Sequence, residues 1–383
     1  MKHRVGFLYN HDAPHQIPHT APIIAELAKS ADVTVLTSSE AQENVVRGLL
    51  APAVQRGIHF VRLKMSPAMR LLRPIGDWAA PFSRIAILRH NANFLASFNA
   101  LVVPETTTTF LKSRFGLKDL KLIYLPHGAG DRAAGFEAPT KLFDLVLLSG
   151  PKVRDRMLAE GLITAENHRI VGYPKFDAID LTARKTFFGD AKPVVLYNPH
   201  FHPYLSSWYG MGLDVIRYFA GQDRFNLIVA PHVMLYRRRI HISREHRLIR
   251  WRRDVPRDLP RSPNIHFDFG SPNSIDMSYT LSADIYLGDV SSQIYEWIVK
   301  PRPAIFLNSH GAAPAHDPNY SHWSLGQVID KVRDLPAALA QALPFSAGMR
   351  QRQQAAFDYN FSRTGEPAAR RAARAIVEFL DVK

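Results

Sequence analysis

Short apolar runs alternate with longer amphipathic stretches along most of the chain. In the first half, five apolar runs predict buried strands, and residues 22–30 predict a helix after the first of them. Each run is apolar on both faces and bounded by turn residues, which is typical of a parallel sheet covered on both sides. The predicted strands are residues 5–9, 33–36, 100–103, 122–125 and 145–148.

A second series of the same kind begins near residue 193. It predicts strands at 194–197, 227–230, 265–267, 285–287 and 304–307, and helical segments at 215–219, 336–343 and 366–380. A polar segment, residues 181–192, separates the two series. We therefore expect an α/β protein with a Rossmann-like N-terminal domain over 1–185, a Rossmann-like nucleotide-binding domain over 186–360, and a C-terminal helix within 361–383.

Composition narrows the function classes. The 383 residues are 46% hydrophobic and 21% charged, which is ordinary for a globular protein, and the chain has no cysteine. Disulfides, thiolate metal sites and cysteine nucleophiles are thereby excluded. The net charge of +14 favours polyanions, phosphorylated substrates or an anionic membrane surface. The first apolar run is too short for a signal peptide, so we expect a cytoplasmic protein or one attached peripherally at the inner face of the cell membrane.

Polar residues follow five of the predicted strands. Ligands of such sheets bind at the carboxyl ends of the strands. Histidine, glycine and hydroxyl residues in five such turns indicate a cleft that binds phosphate. The turns are residues 126–132, 149–152, 198–202, 231–232 and 288–292.

The turn at Asp289, Ser291 and Ser292 opens a predicted helix. Unpaired N–H groups at a helix start bind anions, and the serine hydroxyls would add donors, so one interpretation is a binding site for the pyrophosphate of a nucleotide. An ordinary N-cap is the other, because serine and aspartate are the usual residues there. The two interpretations are compatible, since one serine could cap while the other binds.

Histidines in the strand-end turns are candidates for catalysis. His127 could act as a general base near neutral pH, and His232, after Pro231, could donate to a phosphate oxygen. The alternative for each is a hydrogen bond to a loop carbonyl. His200 and His202 could share a face and bind a metal, but no carboxylate is spaced to complete the site, so we expect no metal.

An arginine-rich segment, residues 237–261, supplies half of the net charge. Pro256, Pro260 and Pro263 exclude a continuous helix, and the segment lies between two predicted strands as an insertion would. Contact with an anionic membrane, a lipid-linked phosphate or nucleic acid is one interpretation, and a solvated surface is the other. The residues assigned to acceptor or membrane contact are Arg237, Arg238, Arg239, Arg250 and Trp251.

These motifs together resemble the CDP-glycerol glycerophosphotransferase family of teichoic-acid-type polymerases. The resemblance covers roughly residues 120–380 and is strongest in the block from Asp289 through Glu296 to Pro303, with the Gly-Tyr-Pro-Lys turn at 172–175. The chain reads His-Gly-Ala-Gly-Asp from His127, where the polymerases read His-Gly-Thr-Pro-Leu-Lys. The first 120 residues match only the general pattern of a GT-B N-terminal domain.

The resemblance implies a GT-B fold, in which two Rossmann-like domains face a cleft and a C-terminal helix crosses back. It also implies that His127 is the base for the acceptor hydroxyl and that His232 assists the leaving phosphate. Asp276 and Glu296 would lie near the ribose or base, or support the loops. The implied nucleotide-binding set is Asp289, Ser291, Ser292, Asp276, Glu296, Pro231, Gly172 and Lys175.

The function predicted on this basis is transfer of glycerol phosphate, or a related alcohol phosphate, from a CDP-alcohol to a hydroxyl of an envelope polysaccharide or lipid-linked acceptor. CMP would leave, and the nucleotide donor would be a substrate rather than a cofactor. One alternative is a GT-B nucleotide-sugar glycosyltransferase acting on an envelope glycan. A second is a nucleic-acid-binding protein that uses the arginine-rich segment, but it would leave the five polar strand ends unexplained.

Overall fold

A computed structural model describes residues 2–11, 14–79, 81–256, 262–313 and 317–382. The chain divides into two compact units. The first unit comprises the described residues within Met1–Ala129, Ala134–Ala178 and Asp358–Lys383, and the second comprises those within Gly130–Ala133 and Ile179–Phe357. The chain therefore leaves the first unit and returns to it at its C-terminal end.

The first unit is built on a seven-stranded parallel sheet in the order β3-β2-β1-β4-β5-β6-β7. Its central strands are apolar throughout because helices and loops cover both faces. The strands are β1 Arg4–Tyr9, β2 Asp32–Thr37, β3 His59–Arg62, β4 Ala100–Val103, β5 Lys121–Tyr124, β6 Leu145–Leu148 and β7 His168–Ile170.

Helices supply the rest of the first unit's core. The helices of its N-terminal part are α1 Ala21–Leu27, α2 Glu40–Leu49, α3 Pro52–Arg56, α4 Pro67–Ala79, α5 Phe82–His90, α6 Ala92–Leu95, α7 Phe110–Ser113 and α8 Pro151–Ala159. A capping box at Ser39 and Gln42 fixes the start of α2. On one face of the sheet, α1 packs with the final helix, α15 (Ala368–Asp381), and Ile24 and Ile376 are fully buried in that cluster.

The second unit is built on a six-stranded parallel sheet in the order β12-β9-β8-β13-β14-β15. Its strands are β8 Val194–Asn198, β9 Asn226–Val229, β12 Ile265–Phe267, β13 Ile285–Gly288, β14 Ala304–Leu307 and β15 Gln327–Ile329. Its helices are α9 Gly212–Ala220, α10 Met234–Arg237, α11 Ser278–Ser282, α12 Gln293–Trp297 and α13 Leu335–Ala342, and α14 Ala347–Asn360 leads back to the first unit.

Two further kinds of element complete the structure. A separate antiparallel hairpin pairs β10 Ile240–Ser243 with β11 Leu248–Trp251 inside the arginine-rich segment. Short 3-10 helices connect the other elements, at Pro14–His19, Thr107–Thr109, Ala133–Gly135, Ala138–Leu142, Pro174–Ala178, Pro272–Ser274, Pro318–Leu325 and Val332–Asp334.

The predicted fold class is confirmed: both units are α/β, each with a parallel sheet, and the C-terminal helix is present. Strands β3, β7 and β15 and the hairpin were not predicted from the sequence. Arg257 and Arg261, two members of the arginine-rich segment, lie outside the described residues, as does Pro260.

Candidate active-site clusters

Each parallel sheet has one point where the strand order reverses. In the first unit it lies between β1 and β4, and in the second between β8 and β13. Ligands of open α/β sheets bind outside the carboxyl ends of the strands at such a point. Four of the five polar turns singled out in the sequence follow β5 in the first unit and β8, β9 and β13 in the second, so they lie at or next to these two points. The fifth turn, residues 149–152, follows β6, one strand further out.

In the first unit, two hydrogen bonds orient the ring of His127. Its Nδ1 lies 2.8 Å from the carbonyl oxygen of Pro104, which can only accept, so Nδ1 carries the proton. Its Nε2 lies 3.1 Å from the amide nitrogen of Gln16, which donates to it. This tautomer leaves the basic lone pair on Nε2, the arrangement that a general base needs, with Gln16 as its hydrogen-bond partner.

Buried neighbours surround that side of His127. His19 is buried and lies 6.3 Å from His127 between ring centroids. Its pKa is lowered well below the ordinary value by burial, and then by Lys175 and His127. Desolvation also lowers the pKa of His127, against the opposing effects of the Pro104 carbonyl and Glu105. Because the His127 residue itself is exposed, we expect its ring to titrate closer to the ordinary value than that of His19.

Gly172 and Lys175 also belong to the first unit. Gly172 has a φ of +90°, and a Cβ there would lie 2.4 Å from Nη2 of Arg371 and 2.7 Å from the carbonyl oxygen of Ser362. Only glycine allows this close approach of the C-terminal segment. Lys175 is buried in a 3-10 helix near His19. The other residues predicted to bind nucleotide belong to the second unit, and the roles predicted for Gly172 and Lys175 stay predictions.

In the second unit, the fully buried carboxylate of Asp289 organises the turn after β8. It accepts hydrogen bonds from the backbone N–H of His200 at 3.0 and 3.1 Å, from the backbone N–H of Ser207 at 2.7 Å and from the Ser207 hydroxyl at 2.9 Å. Burial raises the pKa of Asp289 to about 6, although these bonds favour the charged form. Asp289 therefore fixes the loops at the switch point.

Next to Asp289, a histidine and an arginine are paired. Nη1 of Arg132 lies 2.9 Å from Nε2 of His200, and because a guanidinium can only donate, Nε2 is the acceptor and Nδ1 carries the proton of the neutral ring. Burial lowers the pKa of His200 well below the ordinary value, and Arg132 lowers it further. The pKa of His202 is lowered to about 4, again mainly by burial. Both rings are therefore neutral near pH 7, and the guanidinium supplies the positive charge.

Arg132 lies in a short segment, Gly130–Ala133, that belongs to the second unit but precedes the rest of it in sequence. Beside it, Asp131 is buried and accepts from the Tyr295 hydroxyl at 2.7 Å and from the backbone N–H of His322 at 2.9 Å. Nδ1 of His322 lies 2.9 Å from the same carboxylate oxygen. At Gly130, a Cβ would lie 2.7 Å from Cβ of Ser292. Glycine thus lets this segment lie against the turn after β13.

His232, Ser291 and Ser292 lie in the turns around this pair. His232 packs its ring 5.2 Å from that of His200 between centroids, and its Nδ1 accepts from the backbone N–H of Met234 at 3.2 Å. The other ring nitrogen, Nε2, therefore carries the proton. The Ser291 hydroxyl accepts from the backbone N–H of Gln293 at 3.3 Å, whereas the exposed Ser292 makes no side-chain cap bond to any described residue.

The remaining predicted nucleotide-binding residues divide into surface and interior positions. Asp276 is exposed, accepts from the backbone N–H of Ser278 at 2.9 Å and lies 3.6 Å from Nζ of Lys185. Glu296 is buried in α12, and Pro231 is buried at the end of β9. The roles predicted for these three residues stay predictions. Helix α12 has only five residues, so its dipole adds little to an anion site.

The residues assigned to acceptor or membrane contact lie either just before the hairpin or on its second strand. Arg237, Arg238 and Arg239 are exposed at and after the end of α10, and Arg250 and Trp251 are exposed on β11.

Among the described side chains, no group of three or more histidines or acids is arranged to hold a metal ion. Within the described ranges, no helix is both long and apolar enough to cross a bilayer.

Several residues of these clusters were not predicted from the sequence. Asp131 and Arg132 stood in a turn that was singled out, but nothing local links Asp131 to His322 or Arg132 to His200. Gln16, the partner of His127, lies 111 residues away from it in sequence. The clustering of histidines after β8 and β9 was the one available signal.

No protein-family model and no curated protein sequence matches this chain. Solved structures do match in fold. The wall teichoic acid polymerase TagF, soaked with CDPG, is 13% identical and covers 99% of this chain and 88% of its own, with a TM-score of 0.63. The UDP-GlcNAc 2-epimerase of Neisseria meningitidis, bound to UDP-GlcNAc, is 16% identical with 99% coverage of both chains and a TM-score of 0.57.

HepE of Anabaena, in complex with UDP and glucose, is 12% identical with 100% coverage of both chains and a TM-score of 0.53. All three likenesses extend over both units, and at these identities they bear on the fold alone. The two sheets thus have a GT-B-like fold, as the sequence predicted.

Proposed function

We propose that this GT-B-like protein is a transferase that moves an alcohol phosphate, glycerol phosphate first among the candidates, from a CDP-alcohol to an acceptor hydroxyl. The acceptor would be a cell-envelope polysaccharide or a lipid-linked glycan. The proposed enzyme needs no cofactor beyond its nucleotide substrate. The motif resemblance to CDP-glycerol glycerophosphotransferases and the fold shared with TagF both support this assignment.

The observation that carries the proposal is the set of phosphate-type donors at the switch point of the second unit. Arg132, His200 and His232 converge there, and Ser292 presents an exposed hydroxyl in the adjacent turn. The guanidinium of Arg132, held in place by His200, and the N–H on Nε2 of the neutral His232 ring are suited to phosphate oxygens. In this proposal, Asp289 positions the turns and does not touch the ligand.

The proposed step is a displacement at phosphorus. The acceptor oxygen attacks the β-phosphorus of the CDP-alcohol and gives its proton to Nε2 of His127. The bond between the β-phosphorus and the bridging oxygen breaks, and CMP leaves with the electron pair. Arg132 and His232 would stabilise the negative charge on the leaving phosphate. The assignment of His127 requires Gln16 to release Nε2 when the acceptor binds.

A nucleotide-sugar enzyme is the second candidate, because two of the structures described above were solved with UDP compounds. The same phosphate donors would then hold a nucleoside diphosphate. For a glycosyltransferase, the attack would occur at an anomeric carbon, and the nucleoside diphosphate would leave intact. The two candidates therefore differ in the base recognised and in the bond broken.

Calorimetry and thermal unfolding with CDP-glycerol, CDP, CMP, UDP, UDP-sugars and GDP-sugars test the proposal. A ligand at a hundred times its Kd stabilises the folded state by about 2.7 kcal/mol, which raises the Tm by several degrees. We expect this rise with CDP-glycerol and CDP. We expect Ser292→Ala and His232→Ala to reduce it, while Ser324→Ala, an exposed serine elsewhere in the second unit, keeps it.

Selective stabilisation by UDP or GDP compounds would replace the proposal with the nucleotide-sugar candidate. No response to any nucleotide would remove the transferase assignment. A response that survives both His232→Ala and Ser292→Ala would locate the ligand away from the turns after β9 and β13.

A further inference from the structure

The hairpin in the arginine-rich segment presents an exposed apolar face. The strand register sets Ile240 opposite Trp251 and Ile242 opposite Ile249, so these four side chains share one face. Their exposed fractions are 37%, 67%, 43% and 61%, respectively. Exposed apolar residues are common singly, but four adjacent ones on one face mark an interaction surface.

The opposite face of the hairpin is anchored to the second unit. His241 and Ser243 are buried there, and Nε2 of His241 lies 3.0 Å from the carbonyl oxygens of both Leu235 and Arg238. Beyond β11, the indole N–H of Trp208 donates to the carbonyl oxygen of Arg253 at 3.0 Å. The hairpin is therefore held in a fixed orientation, and its exposed face is not the result of a loose strand.

Positive charge surrounds the apolar face. Seven exposed arginines lie between residues 237 and 254, against two exposed acids, Glu245 and Asp254. The exposed arginines are Arg237, Arg238, Arg239, Arg244, Arg247, Arg250 and Arg253. The guanidinium of Arg252 is instead held 3.9 Å above the ring of Tyr236 and paired with Asp254, so it takes part in the anchor.

We infer that the hairpin docks this protein on an anionic lipid bilayer, with Ile240, Ile242, Ile249 and Trp251 entering the interface and the arginines contacting lipid phosphates. Aliphatic side chains gain from leaving water, and tryptophan favours the boundary between headgroups and acyl chains. Arginines near the surface are attracted to acidic lipids. A nucleic acid would match the charge but would offer no apolar environment to the two central isoleucines.

This inference goes beyond the proposed function, because it concerns the surface on which the protein lies and not the group that it transfers. It therefore has its own test, which needs no nucleotide. A negative result with vesicles would leave the nucleotide measurements unaffected, and the reverse also holds.

Co-sedimentation of the full chain with vesicles tests the inference. We expect binding to vesicles of equal parts phosphatidylglycerol and phosphatidylcholine, and at least about tenfold weaker binding to phosphatidylcholine alone. The variant Ile249→Ser/Trp251→Ser should lose about tenfold in binding to the acidic vesicles. The variant Arg238→Gln/Arg239→Gln/Arg247→Gln should also bind more weakly and show a smaller dependence on salt.

Matched controls come from the same unit. Leu343 is 47% exposed and the side chain of Arg333 is 75% exposed, and both lie outside the hairpin. Leu343→Ser and Arg333→Gln should leave vesicle binding unchanged. All substituted side chains are exposed, so the circular dichroism and Tm of every variant should match the parent, which separates lost binding from lost folding.

Fluorescence reports the depth of insertion. Trp251 should shift its emission to the blue on acidic vesicles and be quenched by lipids brominated near the headgroup, and Trp251→Phe should remove most of this change. Absence of binding to acidic vesicles would overturn the inference. So would full binding by Ile249→Ser/Trp251→Ser, because attraction by charge alone, or docking of another macromolecule on this face, would then be the remaining explanation.

Discussion

At the residue scale, the tautomer of His127 decides which nitrogen can receive a proton. The carbonyl oxygen of Pro104 fixes the proton on Nδ1, so Nε2 is the basic atom. Desolvation lowers the pKa of the ring, which keeps it neutral at physiological pH and available as a base.

We predict that His127→Ala lowers kcat/KM of the proposed transfer reaction by about a hundredfold or more, the usual contribution of a general base. In the parent, activity should fall as the pH drops through the lowered pKa of His127, because the protonated ring cannot accept a proton. That acidic limb should be absent from the residual activity of the variant. Rates measured across pH provide the check.

The control is His59→Gln, because His59 lies on the edge strand β3 and its side chain is 72% exposed. It should match the parent in rate and pH profile. A near-normal rate for His127→Ala would show that another group removes the proton.

The sequence could identify His127, His200 and His232 as candidates because they follow apolar strands, where ligands bind. It could not identify their partners. Arg132 and His200 lie 68 residues apart, and Asp131 and His322 lie 191 residues apart. Such pairs form only when the sheet brings distant turns together, so no local pattern of residue types records them.

At the element scale, the last helix belongs to the core of the first unit. In α15, Ala372 and Ile376 are fully buried, together with Ile24 of α1. Small residues such as Ala369 and Ala372 allow the two helices to approach closely, and Ile376 fills the remaining space. This packing explains the helical spacing of apolar residues over 366–380 in the sequence.

We predict that Ile376→Ala lowers the free energy of unfolding of the first unit by about 2–5 kcal/mol, because it leaves a cavity in a packed core. Denaturant unfolding followed by hydrogen exchange on β1 and α1 would measure the loss. Glu378 lies on the exposed side of the same helix, so Glu378→Ala should change the free energy of unfolding by no more than about 0.5 kcal/mol. Equal effects of the two substitutions would contradict the packing described for α15.

The central strands could be predicted because they are apolar on both faces, as β4, β6 and β14 show. The edge strands β3, β7 and β15 could not, because one side of an edge strand meets solvent and carries polar residues. In β3, for example, His59 and Arg62 are exposed at the ends of the strand. The hairpin was hidden by charge, since the arginines around it obscure a short alternation of isoleucine with His241 and Ser243.

At the scale of the whole molecule, many histidines have a pKa lowered by burial. The shifts are largest for His19 and His200, the pKa of His202 is about 4, and those of His241 and His310 are also lowered. The unfolded chain protonates these rings near their ordinary value of 6.5, whereas the folded protein holds them neutral to lower pH. Stability from this group is therefore present above about pH 6.5 and is lost as the pH falls.

We predict that the Tm falls steadily between about pH 7 and about pH 5, and that unfolding takes up protons in this range. Calorimetry in buffers of different ionisation enthalpy would measure both. His202→Gln should flatten the decline, and His59→Gln should not. Asp289 acts in the opposite direction, because its pKa is raised to about 6 and its contribution decreases as the pH rises through that value. A Tm that stays constant over this range would contradict the prediction.

The discontinuity of the first unit has a consequence for synthesis on the ribosome. Roughly 180 residues separate Ala178 from Asp358, where the chain re-enters that unit. Synthesis proceeds at about 5–20 residues per second, so roughly 10–40 s pass between completion of the last strand of the seven-stranded sheet and completion of α15, which covers the apolar face of that sheet. During that interval, Ile24 and its neighbours are open to other nascent chains. A molecular chaperone that recognises apolar surface would therefore meet this protein at its first sheet.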